Sequence, residues 1–222
     1  MAVTQIPNEL IEFGVKTFGT GSIMLGDTTT GTIDAADYNT GLGVDVFAAL
    51  TTGDYNTAIG NGAGNALTTG LQNTFVGQNT GAAHTTGREN TAVGYAALFT
   101  EDTNSYNTAL GARALQNLNG ADSNTAVGYN ALYAATTGTR NVAVGSNALD
   151  AMTTGYNSTA VGHAALTANT TANSNTAIGA FSMESNTTGA ANTAVGEGAL
   201  LNNTTGSSNV AIGYTALFDY TG

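Results

Sequence analysis

The sequence predicts an all-β fold, a parallel β-roll or β-solenoid built from stacked 17-residue coils. Three observations lead there: one short motif returns eleven times at a constant step of 17, each copy carries glycine and an aliphatic residue at fixed places, and composition is unlike that of a globular enzyme. A unit this small cannot enclose its own apolar side chains. Stability must come from neighbouring units stacked along one axis.

The motif is Asn-Thr-Ala-aliphatic-Gly. It begins at Asn56, Asn90, Asn107, Asn124, Asn175 and Asn192, at Asn73 with phenylalanine for alanine, at Ser158 with serine for asparagine, and in variant form at Asn39, Asn141 and Asn209, without an insertion or deletion. Counting the asparagine as place 1, place 5 is glycine in every copy, including Gly94, Gly111 and Gly128, and place 4 is always aliphatic, including Val93, Leu110 and Val127. Place 2 is threonine or valine, which have nearly the same β-branched shape. The alternation of places 1 to 4 is that of a short strand, and place 4 is expected to be the first inward-facing point of the coil. Ala-Leu after the glycine, as in Ala97-Leu98 and Ala131-Leu132, is expected to be a second inward point on a second strand-like piece. The unit closes on Thr-Thr-Gly, as at Thr68-Thr69-Gly70, whose glycine is expected to supply the positive φ of a tight turn.

A helical reading fails on punctuation. Two near-fixed glycines per unit cost a helix about 1 kcal/mol each, and no stripe at 3.6 spacing crosses them. One helical turn around Ala-Leu is the most such a unit could hold. Stacking instead places identical residues above one another, so Asn90, Asn107 and Asn124 are expected to form an amide ladder.

Residues 39–222 hold the eleven repeats. Residues 22–38 read as an imperfect first coil in phase with them, since Leu25-Gly26 precedes Leu42-Gly43 by 17. Residues 1–21 do not repeat, carry the only lysine and the only proline, and are expected to attach the rod to something else. A slender coil has little interior, and oligomerisation commonly supplies the rest. The Ala-Leu edge, with Phe99, Tyr133 and Phe218 beside it, is the expected seam between chains.

Composition limits the function classes. The chain has 30 glycines, no cysteine, no tryptophan and only 9% charged residues, against roughly 25% in an ordinary domain. At 41% hydrophobic it is too apolar for disorder. A net charge of −11 from fifteen acids against Lys16, Arg88, Arg113 and Arg140 argues against a nucleic-acid partner. There is no run of eighteen apolar residues, and Glu9 and Glu12 stand where a secretory leader would be basic and then apolar, so neither membrane insertion nor that secretion route is expected.

No cofactor, metal or catalytic constellation is legible, and no enzymatic activity is expected. Glu101 and Asp102 are neighbours on a corner, His84 and His163 sit in different repeats, and a depolymerase would need Asp122, Asp150, Glu184 or Glu197 to converge from different coils. The variable places after the glycine carry Tyr95, Tyr129, Tyr214, His163 and Arg113, and Tyr38, Tyr55 and Tyr106 precede the asparagine. Rings among amides and hydroxyls suit carbohydrate, since ring faces stack on sugars while the polar groups hydrogen-bond them. Regular threonines also raise ice binding, although a Thr-x-Thr pattern on a strand does not recur.

Asn124-Thr-Ala-Val-Gly-Tyr-Asn-Ala-Leu132, and similarly residues 90–98, resembles the head repeats of trimeric autotransporter adhesins and, more closely, the longer repeats of phage tail fibres and related virion appendages. The resemblance covers residues 39–222. It implies a left-handed parallel β-roll assembled as an intertwined homotrimer, serving as shaft or receptor-binding part of a fibre. The expectation is therefore a structural, adhesive virion protein, attached to a tail or baseplate component through residues 1–21 and contacting host-surface carbohydrate. A bacterial surface adhesin head is the alternative. No stalk or anchor follows the repeats before Gly222, which favours the fibre.

Overall fold

The computed structural model describes residues 14–16, 21–26, 35–100 and 103–221. Among them there is no helix, and a single sheet of 13 strands runs in chain order. Strand β1 (Gly14–Lys16) pairs antiparallel with β2 (Ile23–Gly26). From β2 onward every pairing is parallel, through the three-residue strands β3 (Thr40–Leu42) to β13 (Val210–Ile212). Each residue pairs with its counterpart 17 positions on, as in Ile23↔Thr40, Thr91↔Thr108 and Thr193↔Val210. The chain is a parallel β-solenoid with one coil per repeat, numbered here from coil 1 at Asn39.

The inside of each coil is lined by places 1, 3, 8, 9, 12 and 15. Coil 4 shows the pattern, with Asn90, Ala92, Ala97 and Leu98 all essentially inaccessible. This reverses the expected facing of the strand. Place 3 points inward, so places 2 and 4 both point out, and the aliphatic column is the exterior of the sheet. Strand parity is the cause: place 1 is buried for its hydrogen bonds, and alternate residues share a face. The Ala-Leu pair does turn inward, but it lies on a turn rather than on a second strand, and it is sealed inside its own coil. It therefore offers no edge for a seam between chains.

Asparagine at place 1 closes the coil and joins it to the next. Asn56 Nδ2 donates to the place-15 carbonyl of Gly70 (2.8 Å), and Asn39 Oδ1 accepts from both the backbone N–H (2.8 Å) and Nδ2 (3.1 Å) of Asn56. The same bonds recur at Asn73 and Asn90. Ser22 fills the role for the coil preceding Asn39, donating to Ala36 O (3.0 Å) and accepting from Asn39 N–H (2.9 Å).

The backbone at the corners departs from the expected turn chemistry. Glycine at place 15 has no positive φ; left-handed conformations fall instead at places 5, 7, 9 and 17, mostly on non-glycine residues such as Ala96, Leu98 and Tyr106. Such residues cost of order 1–2 kcal/mol each. The compensation is that alternating backbone hands aim successive N–H groups at opposite neighbours: Ala96 donates back to Gln78 O and Leu98 forward to Ala114 O, both at 3.0 Å. Inter-coil hydrogen bonds thus continue around the corners. The place-15 glycines are needed for space, because a Cβ on Gly70 would lie 2.5 Å from Gly87 O. At place 5 both demands meet: Gly94, Gly111 and Gly128 all have φ +134°, and a Cβ on Gly111 would lie 2.5 Å from Gly128 O.

Candidate functional site

Two exteriors follow from this cross-section. The first is the outer face of the sheet, where threonine or valine at place 2 stands beside an aliphatic residue at place 4 in every coil. Among the described residues the exposed aliphatic side chains are Ile23, Leu25, Leu42, Val44, Ile59, Val93, Leu110, Ile178, Val210, Ile212 and Leu217. All but Val44 and Leu217 lie on this one face. Because the strands pair in register, the side chains of places 2 and 4 form two straight columns repeating at about 4.8 Å, the first mostly threonine and the second aliphatic. An apolar stripe that runs the length of a chain is the kind of surface that marks an interaction site. The sequence carried a signal for it in the near-uniform alanine at place 3: a column of small, identical residues is an interior column.

The second exterior is the set of corners. Tyr95, Tyr129, His163 and Tyr214 share one column at place 6, with Arg113 in the adjoining column at place 7. Tyr95 and Tyr129 are each 49% exposed and stand two coils apart with Ala112 between. His163 stands two coils beyond Tyr129, with Ser146 between, and packs edge-on against Phe181, ring centroids 5.2 Å apart, while Tyr214 belongs to coil 11 at the far end. Of the five residues singled out in the sequence, four therefore fall within coils 4 to 8, with His163 turned onto Phe181, and Tyr214 is remote. At place 17, Tyr38 and Tyr55 stack on each other with centroids 4.9 Å apart and planes within 9°.

The acids do not converge. Asp122 lies at place 16, where one oxygen accepts the backbone N–H of Ser105 (2.8 Å), as Asp54 does for Asp37. Asp150 and Glu184 share place 10 but are two coils apart, and Glu197 is at place 6. Burial raises the pKa of Asp150, with hydrogen bonds from the backbone of Ala151 and Asp150 opposing the shift. His84 is fully buried at place 12, edge-on to Phe75 (5.4 Å), with Nε2 3.2 Å from Asn90 Nδ2. Among the described residues no group of three histidine or carboxylate side chains could hold a metal ion, and no helix is long and apolar enough to cross a membrane. Glu101, Asp102 and most of the expected attachment segment, residues 1–13 and 17–20, lie outside the described residues.

In comparisons with family models, curated proteins and solved structures, the chain matches none of them.

Proposed function

We propose that the chain is the rod-forming subunit of an adhesive virion fibre, three copies of which associate along the outer sheet face. The observation that carries this is the aliphatic column at place 4, which stands beside a β-branched column, mostly threonine, at place 2. It runs from Leu25 to Ile212, and few exposed aliphatic side chains lie off this face among the described residues. Covering one such column over the full length of a rod calls for an equally long, equally regular partner, and a second copy in parallel provides one. The number three, the attachment through residues 1–21 and the virion setting come from the resemblance of the repeats to tail-fibre and adhesin-head sequences. The tyrosine-bearing corners lie off the sheet face and supply the carbohydrate contact.

The test is the mass of the purified chain by light scattering. Wild type is expected at three times 22.1 kDa, and the double variant Val93→Lys/Val127→Lys at monomer mass with its β-sheet spectrum retained, because these side chains point away from the coil's own core. A monomeric wild type would overturn the reading. Immunogold labelling of intact particles tests the virion setting.

One further reading uses the same face. Threonine columns on a flat, regularly spaced sheet are also suited to ordering water on an ice surface. A monomer that shows thermal hysteresis would favour ice binding; a trimer without it favours the fibre.

A further inference from the structure

We propose that Tyr95 and Tyr129 are the two walls of a slot that takes a single pyranose ring of a glycan, with Ala112 as its floor. The inference rests on the adhesive reading above and gives it a site. The stacked pair Tyr38 and Tyr55 measures what one coil does to a tyrosine in this solenoid: it translates the ring by 4.9 Å and leaves it nearly parallel. That pair closes on itself. Tyr95 and Tyr129 are two coils apart in one column, so equivalent ring positions are twice 4.9 Å, about 9.8 Å, from each other.

The occupant follows from that gap. A saturated ring touching an aromatic face on each side, at about 4.0–4.5 Å per contact, needs about 8–9 Å between the walls, so the two tyrosines close on it by leaning in by about 1 Å. A flat aromatic ring, stacked at about 3.5–4.0 Å per side, needs only about 7–8 Å and would sit loosely. Ala112 is the only residue at place 6 between the two tyrosines, and its side chain is a single methyl group.

Polar groups border the slot. Arg113 N–H donates to Tyr95 O (2.9 Å) and Asn130 N–H to Ala112 O (3.2 Å), which seats both residues against the column. The Arg113 side chain is exposed at this corner, whereas the Oδ1 atom of Asn130 is buried. A sugar presents apolar C–H faces to the rings and hydroxyls at its rim, where a guanidinium can bond them.

The decisive variant adds a ring. Ala112→Tyr places a third tyrosine between the two and turns the slot into a closed stack like that of Tyr38 and Tyr55. Tyrosine already occupies place 6 in coils 4, 6 and 11, so the fold should hold, as a thermal melt would verify. The full-length chain is screened on an array of pyranose-terminated oligosaccharides, and the best binder is titrated against variants. Ala112→Tyr, Tyr95→Ala and Tyr129→Ala are each expected to weaken binding at least tenfold, and Tyr214→Ala to leave it unchanged. Saturation-transfer NMR with methyl glucopyranoside, methyl galactopyranoside, methyl mannopyranoside and phenol is expected to show transfer to a pyranoside that Ala112→Tyr abolishes. Transfer to phenol alone would overturn the proposal. If wild type binds a glycan and Ala112→Tyr binds it equally, the slot is wrong while adhesion by another surface stands. If wild type binds no pyranoside, slot and carbohydrate contact both fall, and the trimer is judged separately by its mass.

Discussion

The asparagine at place 1 bonds both across its own coil and to the next, and that environment fixes what a substitution costs. Asn107 accepts from Asn124 N–H (2.9 Å) and donates to the carbonyls of Ala121 (3.0 Å) and Ser105 (3.2 Å). Truncation to alanine leaves a buried donor and a buried acceptor unpaired, at about 1–3 kcal/mol each. Asn107→Ala is therefore expected to lower stability by about 2–4 kcal/mol in chemical denaturation, and Asn107→Ser by less, since Ser158 already accepts from Asn175 N–H (3.3 Å) in the same place. Asp150 gives a pH-dependent case. Its folded pKa is raised by burial, so near that pKa the folded chain binds more protons than the unfolded one, and stability falls as pH rises through it. Asp150→Asn is expected to raise the melting temperature at neutral pH. The advantage should vanish at pH values below the unfolded pKa of the carboxyl, where both states of the wild type are protonated. An equal gain at every pH would show that charge is not the cause.

Within the coil, exceptions to the repeat come in compensating sets. Place 3 is alanine in most coils, but it is Phe75 in coil 3, and the leucine expected at place 9 is Gly64 in coil 2 and Gly81 in coil 3. A Cβ on Gly81 would lie 2.6 Å from the Phe75 ring, so the ring occupies the space that leucine fills elsewhere. Phe75→Ala opens a cavity and is expected to cost about 3–5 kcal/mol. Gly81→Leu alone should destabilise by overlap. The double variant restores the common pairing and should recover much of both losses, a non-additivity that a double-mutant cycle would measure. A second exception runs down place 12, where Leu50 and Leu67 give way to buried Asn169, Asn186 and Asn203; Asn203 Nδ2 donates to Asn186 Oδ1 (2.9 Å). Both devices could be seen in the sequence only after the inward places were known.

At the scale of the rod, length is the one quantity the stack leaves free. Every coil contacts only its neighbours, so removing one whole period should preserve all columns. Deletion of residues 124–140 is expected to give a folded rod one coil shorter with a similar sheet spectrum. Deletion of 124–139, one residue fewer, breaks every column at the junction and should lower the melting temperature sharply. Equal behaviour of the two deletions would mean that register does not hold the coils together.

The constant step of 17 determined the parallel sheet, its register and its one-dimensional growth, because a strict period without insertions admits no other alignment of identical residues. It did not determine which way each strand faces. Alternation assigns residues to two sides but does not label them, and the conserved-looking aliphatic place 4 was a more obvious candidate for the interior than the alanine beside it. Only the tertiary structure decided this: in a coil closed by a buried asparagine such as Asn90 and filled by leucine at place 9, as at Leu98, place 3 has room for little more than a methyl group, as at Ala92, and the aliphatic side chain of place 4 is left outside. The left-handed residues at places 7, 9 and 17 were equally hidden, since Tyr, Arg, Leu and Ser give no local sign of that conformation and adopt it for the hydrogen bonds that reach the next coil.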